Sequence, residues 1–291
     1  MPSLIDFRRR IRSVKNTQQI TKAMKMVSAA KLRRAQDRVI AARPYAAQMR
    51  EMLANLVQAA QSDERASESA WLVEREPKTV DLVLVTSDKG LAGAFNSNLI
   101  KATQRFIADH PDATIALTLV GRKGRDFFRR RSATIIGDYI HILAKPAYAD
   151  AATVVREILR RYRAGETDAV YVINNDFKSV MTQTLSVMQL LPVDLPPAAA
   201  DPSGAVRDYI YEQSPIDMLE RLVPRYVEVA VFRSLLETCA AEHAARMTAM
   251  DKASTNAKDV IESLTLYMNR VRQAAITKEI IEVVSGAAAA N

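Results

Sequence analysis

Few side chains in this sequence have the type and spacing that catalysis requires. The three histidines, His110, His141 and His243, lie far apart and lack the spacing of metal ligands. The single cysteine, Cys239, excludes an intrachain disulfide and a cysteine-based zinc site, and a buried structural thiol is the preferred interpretation. We therefore expect no catalytic residue, no metal and no cofactor.

One loop has the composition of a ligand-binding turn. The segment SDKGLAGAFNSN at 87–98 follows a predicted strand and precedes a predicted helix, a position where parallel α/β sheets often bind ligands. However, Gly90 and Gly93 lack dinucleotide-binding spacing, and the sequence has no GxxxxGK[ST] phosphate loop. A structural turn is preferred, and an α/β enzyme with a pocket near Gly90 remains an alternative.

Positive charge is concentrated at the start of the chain. Residues 1–60 hold 13 Lys and Arg against 3 Asp and Glu, a net charge of +10, whereas the whole chain carries only +8. The remainder therefore carries −2. The runs FRRRIR at 7–12 and KLRR at 31–34 indicate an acidic partner: nucleic acid, an anionic membrane or an acidic protein surface. A solvated basic face is the simplest explanation.

The positions of glycine and proline indicate where the elements lie. Seven of the eight glycines fall between Gly90 and Gly204, so both ends favour long helices and the middle favours a loop-rich domain. We expect an N-terminal helix at 1–60 with a kink or break at Pro44, and a C-terminal helical segment at 215–286. Its helix should begin near Arg225 and end at Gly286.

The middle segment, at 77–195, alternates β-branched runs with helical patterns. Such alternation predicts a small α/β domain with a largely parallel sheet. The fold class is thus α/β plus a long antiparallel α-helical coiled coil, formed by the N- and C-terminal helices on either side of a small Rossmann-like domain. The predicted strands are 80–86, 114–120, 133–140, 168–174 and a closing strand at 182–193.

Both terminal helices carry a seam with alternating spacings of three and four, which favours a coiled coil. In the C-terminal helix this seam runs from Val229 to Ile281. Its positions are Val229, Phe232, Leu236, Cys239, His243, Arg246, Met250, Ala253, Ala257, Val260, Leu264, Tyr267, Val271, Ala274, Lys278 and Ile281. The N-terminal seam begins with apolar residues and then becomes polar. Its positions are Leu4, Phe7, Ile11 and Val14, followed by Gln18, Thr21, Lys25 and Ser28.

Four stretches carry a family resemblance. NTQQITKAMKMVSAAKLRRAQ, TSDKGLAGAFN, DYIYE and RQAAITKEIIEVVSGAAA each resemble a characteristic stretch of the gamma subunit of F-type ATP synthase, in the same order and with matching spacing. The resemblance implies a non-catalytic central rotor shaft that couples proton-driven rotation of a membrane ring to ATP synthesis or hydrolysis at the beta subunits. The implied partners are a hexamer of alpha and beta subunits, the epsilon subunit and the membrane c-ring.

The resemblance also assigns contact residues. It implies that exposed polar positions make weak contacts with surrounding subunits that form and break at each step, which explains the polar seam. A basic helix face with Lys22, Lys25, Arg33 and Arg34 would pass an acidic loop of beta. The residues implied to contact alpha or beta are Met24, Lys22, Lys25, Asp88, Lys89, Arg272, Gln273 and Thr277, and those of the foot near the ring and epsilon are Tyr209, Tyr211 and Glu212.

The remaining expectations concern location and rival functions. No apolar run approaches the roughly 20 residues that span a bilayer. The chain lacks a transit peptide and a regulatory cysteine pair, which predicts a peripheral protein on the cytoplasmic face of a bacterial plasma membrane. The rival function is a basic coiled-coil protein that binds nucleic acid or acts as a scaffold, which predicts salt-sensitive binding of bare DNA or RNA.

Overall fold

A computed structural model of the chain describes residues 4–60, 69–71, 75–193 and 212–290, with side chains described as far as residue 285. Contacts divide the chain into two compact units. We call residues 1–29 and 246–291 the helical-pair unit, and residues 30–245 the α/β unit. Each unit has its own internal order, and the two are described separately below.

Two long helices contribute to both units. Helix α1 runs over Leu4–Ala60 without the break expected at Pro44. Proline removes one main-chain hydrogen bond, but buried contacts of later residues such as Leu53 and Leu56 hold the helix beyond it. The C-terminal helix is longer than predicted, since it begins at Pro215 and continues to Ala290. A proline suits the first turn of a helix, and an alanine-rich tail favours helix beyond Gly286.

Pro224, next to the predicted helix start at Arg225, lies inside the C-terminal helix. Its missing N–H leaves the carbonyl of Glu220, four residues earlier, without a helical donor. Arg163 supplies one, since its Nη2 donates to the Glu220 carbonyl oxygen at 3.3 Å and lies 3.3 Å from the Glu220 carboxylate. A side chain of the preceding helix therefore replaces the bond that proline removes.

The α/β unit contains the predicted sheet. Its five strands lie in the order β3-β2-β1-β4-β5, with β1 paired in parallel to both β2 and β4, and β5 antiparallel to β4. This confirms the largely parallel sheet and the closing strand. In chain order the elements are β1 (Thr79–Val85), α2 (Phe95–Asp109), β2 (Thr114–Val120), α3 (Arg122–Phe128), β3 (Thr134–Tyr139), a 3-10 turn (Ile142–Ala144), α4 (Tyr148–Arg163), β4 (Ala169–Phe177) and β5 (Gln183–Leu191); α5 is the C-terminal helix (Pro215–Ala290).

The core of the α/β unit is centred on β1. This strand has neighbours on both edges and is covered on both faces. Its sequence is therefore a continuous run of apolar residues and does not alternate between apolar and polar residues. Leu82, Val83, Leu84 and Val85 are fully buried. The exception is Asp81, a fully buried carboxylate that Arg161 of α4 holds with two hydrogen bonds, at 2.9 and 3.2 Å.

The helical-pair unit contains the N-terminal part of α1 packed antiparallel against the C-terminal part of α5. As residue numbers rise in α1 they fall in α5: Phe7 contacts Tyr267 at 5.1 Å between ring centroids, Gln18 bonds Ser254, and Lys25 pairs with Asp251. This confirms the antiparallel coiled coil within this unit.

The predicted seam of α5 is displaced by one residue over part of its length. Val260, Tyr267 and Ala274 are exposed, whereas Ile261, Met268 and Ala275 are half-buried. Both series have alternating spacings of four and three, and apolar residues occupy both. The spacing alone therefore could not distinguish the two registers, and packing against α1 selects the second.

Candidate functional site

The polar seam residues of α1 face α5. Thr21 is 8% exposed and Ser28 only 3%. Gln18 donates through Nε2 to the carbonyl of Ser254 at 3.4 Å, and Lys25 Nζ lies 2.6 Å from Asp251 Oδ1. The polar seam therefore faces α5 and not the surroundings, and Gln18 and Lys25 bond the partner helix while Thr21 and Ser28 are buried beside it. The contact expected between Lys25 and beta stays a prediction.

The outward face of α1 has a different character. Lys22 is exposed and Met24 is half-buried, so both side chains remain available to another molecule. Three apolar side chains, Ile20, Met26 and Val27, are more than half exposed on the same segment. In the α/β unit, Arg33 and Arg34 are also exposed. The outer surface thus combines positive charge with apolar area.

The three predicted contact residues near the end of α5 are all exposed. These residues are Arg272, Gln273 and Thr277. The Thr277 hydroxyl donates to the Gln273 carbonyl at 2.9 Å within the helix, so its side chain is partly engaged by its own backbone. More than half of each of the apolar side chains that follow is exposed, namely Ile280, Ile281, Val283 and Val284.

The loop after β1 is fastened to its neighbours by Asp88. One Asp88 carboxylate oxygen accepts from the main-chain N–H of Arg122 and the other from that of His141, each at 3.0 Å. Lys89, beside it, is exposed. Asp88 thus joins the carboxyl ends of β1, β2 and β3, while Lys89 is the side chain of the pair that is free to meet a partner.

Glycine is required at the start of α3, next to this loop. Gly121 has a φ of 92°, and a Cβ there would lie 2.0 Å from the Thr86 carbonyl oxygen. The Thr86 hydroxyl accepts from the N–H of Gly124 at 2.9 Å. Gly121 and Gly124 therefore let the start of α3 approach the end of β1 closely. The structural-turn interpretation of the 87–98 loop is supported by the bonds of Asp88 and by that between Ser87 and Asn96.

Of the predicted foot residues, only Glu212 lies in the described part of the chain, where it is exposed. Tyr209 and Tyr211 lie outside the described residues. Within the described ranges, no group of three or more His, Cys, Asp or Glu side chains is placed to hold a metal ion. None of the described helices has the length and hydropathy that crossing a membrane requires.

Two ion pairs that each contain a buried carboxylate were missed by sequence reasoning. The first joins Asp81 to Arg161, and burial raises the pKa of the Asp81 carboxyl while the Arg161 guanidinium acts to lower it. The second joins Glu237, which is 2% exposed, to Arg43. A lone acid within an apolar strand, and another within the apolar stretch LLETCAA, were the signals that would have revealed them.

Comparison with known proteins identifies the family. A sequence family described as ATP synthase matches residues 3–290. The ATP synthase gamma chain of Solibacter usitatus is 59% identical over 291 residues, covering 100% of both chains. That of Anaeromyxobacter dehalogenans is 50% identical over 291 residues, covering 99% of this chain and 100% of its own. This chain belongs to the ATP synthase gamma chain family.

Solved structures agree at the level of the fold. A chain from the mitochondrial ATP synthase of Euglena gracilis, in a structure of OSCP, F1 and c-ring, has a TM-score of 0.67 at 17% identity and covers 98% of this chain and 94% of its own. One from the central stalk and c-ring of Tetrahymena thermophila has a TM-score of 0.61 at 24% identity, covering 81% and 99%. The comparisons support the rotor interpretation and not the nucleic-acid-binding alternative.

Proposed function

We propose that this chain is the central rotor shaft of a proton-translocating F-type ATP synthase and performs no ATP chemistry itself. The observation that carries the proposal is the end-to-end match to bacterial gamma chains, which includes both long helices and the sheet between them. The shaft would couple rotation of a membrane ring to ATP synthesis or hydrolysis at the beta subunits.

The partners follow from this role. Alpha and beta subunits would form a hexamer around the paired helices, and the epsilon subunit and c-ring would bind the α/β unit. The similar chains come from structures that contain a central stalk with a c-ring, and F1 with a c-ring, which supports this arrangement. The bacterial relatives support a peripheral position on the cytoplasmic face of the plasma membrane.

Exposed residues would make the moving contacts. We assign Lys22, Met24 and Lys89 to contacts with beta, and we assign Arg272, Gln273 and Thr277 to hydrogen bonds with loops of the hexamer. Asp88 would act mainly by holding the Lys89 loop in place, since both of its carboxylate oxygens are engaged. Lys25 would alternate between its ion pair with Asp251 and a contact with an acidic loop of beta. Tyr209, Tyr211 and Glu212 would form the foot.

The strength of these contacts suits rotation. Apolar burial stabilises by about 25 cal/mol per Å², so a large dry interface would hold the shaft at one angle. Exposed ion pairs contribute less than about 1 kcal/mol each and exchange readily. A surface with Lys22 and Arg272 exposed beside scattered apolar side chains therefore allows successive contacts of similar energy as the shaft turns.

Copurification tests the proposal. A tagged copy of the chain, expressed in a bacterium together with its alpha, beta and epsilon subunits, should retain all three at moderate salt, and the isolated chain should show no ATP turnover. Retention of nucleic acid in their place, lost as salt is raised, would contradict the rotor function and favour the nucleic-acid-binding alternative.

A further inference from the structure

A buried carboxylate of α5 contacts the end of the sheet. Glu237 is 2% exposed, and its Oε2 accepts from the main-chain N–H of Phe177, the last residue of β4, at 3.0 Å. Arg233, one turn earlier in α5, lies 3.9 Å from Glu237 Oε1. A charged group without partners would not persist at this depth, so the carboxylate requires more donors than the strand provides.

Helix α1 supplies the remaining donors. Arg43 Nη2 donates to the Phe177 carbonyl at 3.0 Å and to Glu237 Oε1 at 3.2 Å, and its Nε lies 3.3 Å from the same oxygen. Arg43, Glu237 and the main chain of Phe177 therefore form one connected group, which we call the β4 clasp. It joins α1, α5 and β4 within the α/β unit.

The gain from such an arrangement is geometric more than energetic. Replacing a buried ion pair by apolar side chains of similar volume is often neutral or stabilising, so stability alone does not account for the clasp. Apolar contacts are non-directional, whereas a guanidinium fork bonded to a carboxylate fixes both distance and orientation. The clasp thus holds the two helices at a set rotation about their own axes relative to the sheet.

We propose that the β4 clasp is a torque-bearing joint, in which Arg43 and Glu237 are positioning residues that make the sheet and the two helices turn as one body. This inference rests on the proposed rotor function. Under load, apolar helix faces can slide on the sheet, while the clasp resists because sliding would leave Glu237 buried without its donors. Loss of the clasp lets the helices turn without carrying the sheet fully with them.

The expected signature is a loss of coupling. In membrane vesicles carrying the complete complex, ATP hydrolysis and ATP-driven proton uptake are measured together for the wild type, Arg43→Ala and Glu237→Gln. The ratio of proton uptake to hydrolysis should fall at least about twofold in each single variant. In the double variant this ratio should be no lower than in the more affected single variant, because both substitutions break the same clasp.

Arg161→Gln is the matched control. It breaks an ion pair whose carboxylate is likewise buried and which joins α4 to β1, together with the contact of Arg161 to Glu166 just after α4. A purely structural effect lowers the amount of assembled complex and both activities in proportion, so Arg161→Gln should leave the ratio at the wild-type value. An equal fall of the ratio in Arg161→Gln would overturn the inference, since general loosening of the α/β unit would then suffice.

Arg43→Lys keeps the clasp testable where Arg43→Ala or Glu237→Gln prevents assembly of the complex. Arg43 is half exposed, so Arg43→Lys retains the charge and loses only the fork that bonds Glu237 and Phe177 together. Its ratio should also fall, and an assembled Arg43→Lys complex with wild-type coupling overturns the clasp. Two negative results are distinguishable. A wild-type chain that neither assembles nor supports proton uptake overturns the proposed function, whereas normal coupling in the assembled variants overturns only the clasp.

Discussion

The sheet of the α/β unit and the paired helices of the other unit bury side chains in opposite ways. Strand β1 places four consecutive fully buried apolar residues between two neighbouring strands. At the centre of the helical pair, the seam consists of Gln18, Thr21, Lys25 and Ser28, which meet α5 partly through hydrogen bonds and an exposed ion pair. One region is a fixed core and the other is a weakly held contact.

The difference shows how one chain can combine a close-packed sheet with a pair of helices that are held by weaker contacts. Burying apolar area in the sheet gives a single deep energy minimum, because close-packed interiors do not deform continuously. Polar seam contacts are individually weak and allow small adjustments between the helices. The sheet should therefore contribute most of the free energy of unfolding, and the seam should contribute little.

The largest expected effect comes from the sheet. Leu82→Ala should lower the free energy of unfolding by about 2–5 kcal/mol, because it leaves a cavity in a fully buried strand. Trp71 is the single tryptophan, buried in the α/β unit and stacked on Tyr162 at 5.8 Å, so its fluorescence in urea reports this unit. Ile11→Ala, a half-buried position of the helical pair, should shift the Trp71 transition much less. Equal shifts would contradict the contrast.

An intermediate effect is expected at the ion pair between Asp81 of β1 and Arg161 of α4. Asp81→Asn leaves the Arg161 guanidinium, whose side chain is only 17% exposed, without its carboxylate partner and should lower the free energy of unfolding by about 1–3 kcal/mol at neutral pH. Burial raises the folded-state pKa of Asp81 above its ordinary value of 3.8. The protonated carboxyl therefore contributes its full stabilisation below the ordinary pKa. This contribution is lost as the pH rises through the folded-state pKa.

The pH dependence sharpens that experiment. As pH is lowered from neutral through the folded-state pKa, the wild type should gain stability relative to Asp81→Asn, which has no titrating group there. Urea midpoints of the two proteins, compared at each pH, measure the difference directly and cancel the titration of the other carboxylates. A difference that shrinks on acidification would show that the Arg161 attraction outweighs burial at this site.

The smallest effect is expected in the polar seam. Lys25 and Asp251 are each about half exposed, with side-chain exposures of 42% and 56%. A double-mutant cycle with Lys25→Ala and Asp251→Ala should give a coupling energy below about 1 kcal/mol, and added salt should reduce it further. Thermal unfolding followed by circular dichroism measures it. A salt-independent coupling of several kcal/mol would place this pair among the rigid contacts.

Sequence patterns predicted the elements well where periodicity was unambiguous. The four β-branched runs and the closing strand predicted at 182–193 are the five strands, and the spacing of Leu4, Phe7, Ile11 and Val14 continues through Ser28 as a seam of buried and half-buried residues in α1. The register of α5 failed because Val260–Ile261 and Tyr267–Met268 offer an apolar residue in either register. The ends of α5 were predicted wrongly, because the helix continues through the predicted start at Arg225 and the predicted stop at Gly286.

The candidate site was harder to predict because pairing depends on tertiary structure. The polar character of Thr21 and Ser28 was visible in the sequence, but only packing against α5 shows that they face inward. Arg43 and Glu237 are 194 positions apart, and no local pattern connects them. Exposed residues such as Lys22 and Arg272 came from the family resemblance, since exposure alone carries no signal of a partner.

Rotation itself tests the account most directly. The complex is fixed through its alpha and beta subunits, a bead is attached to the α/β unit of this chain, and ATP is added while the bead is watched and hydrolysis is measured. The account predicts rotation of the bead in one direction, at a rate that follows hydrolysis. Sustained ATP hydrolysis with a bead that moves only by random thermal motion would contradict the central claim that this chain is the rotor.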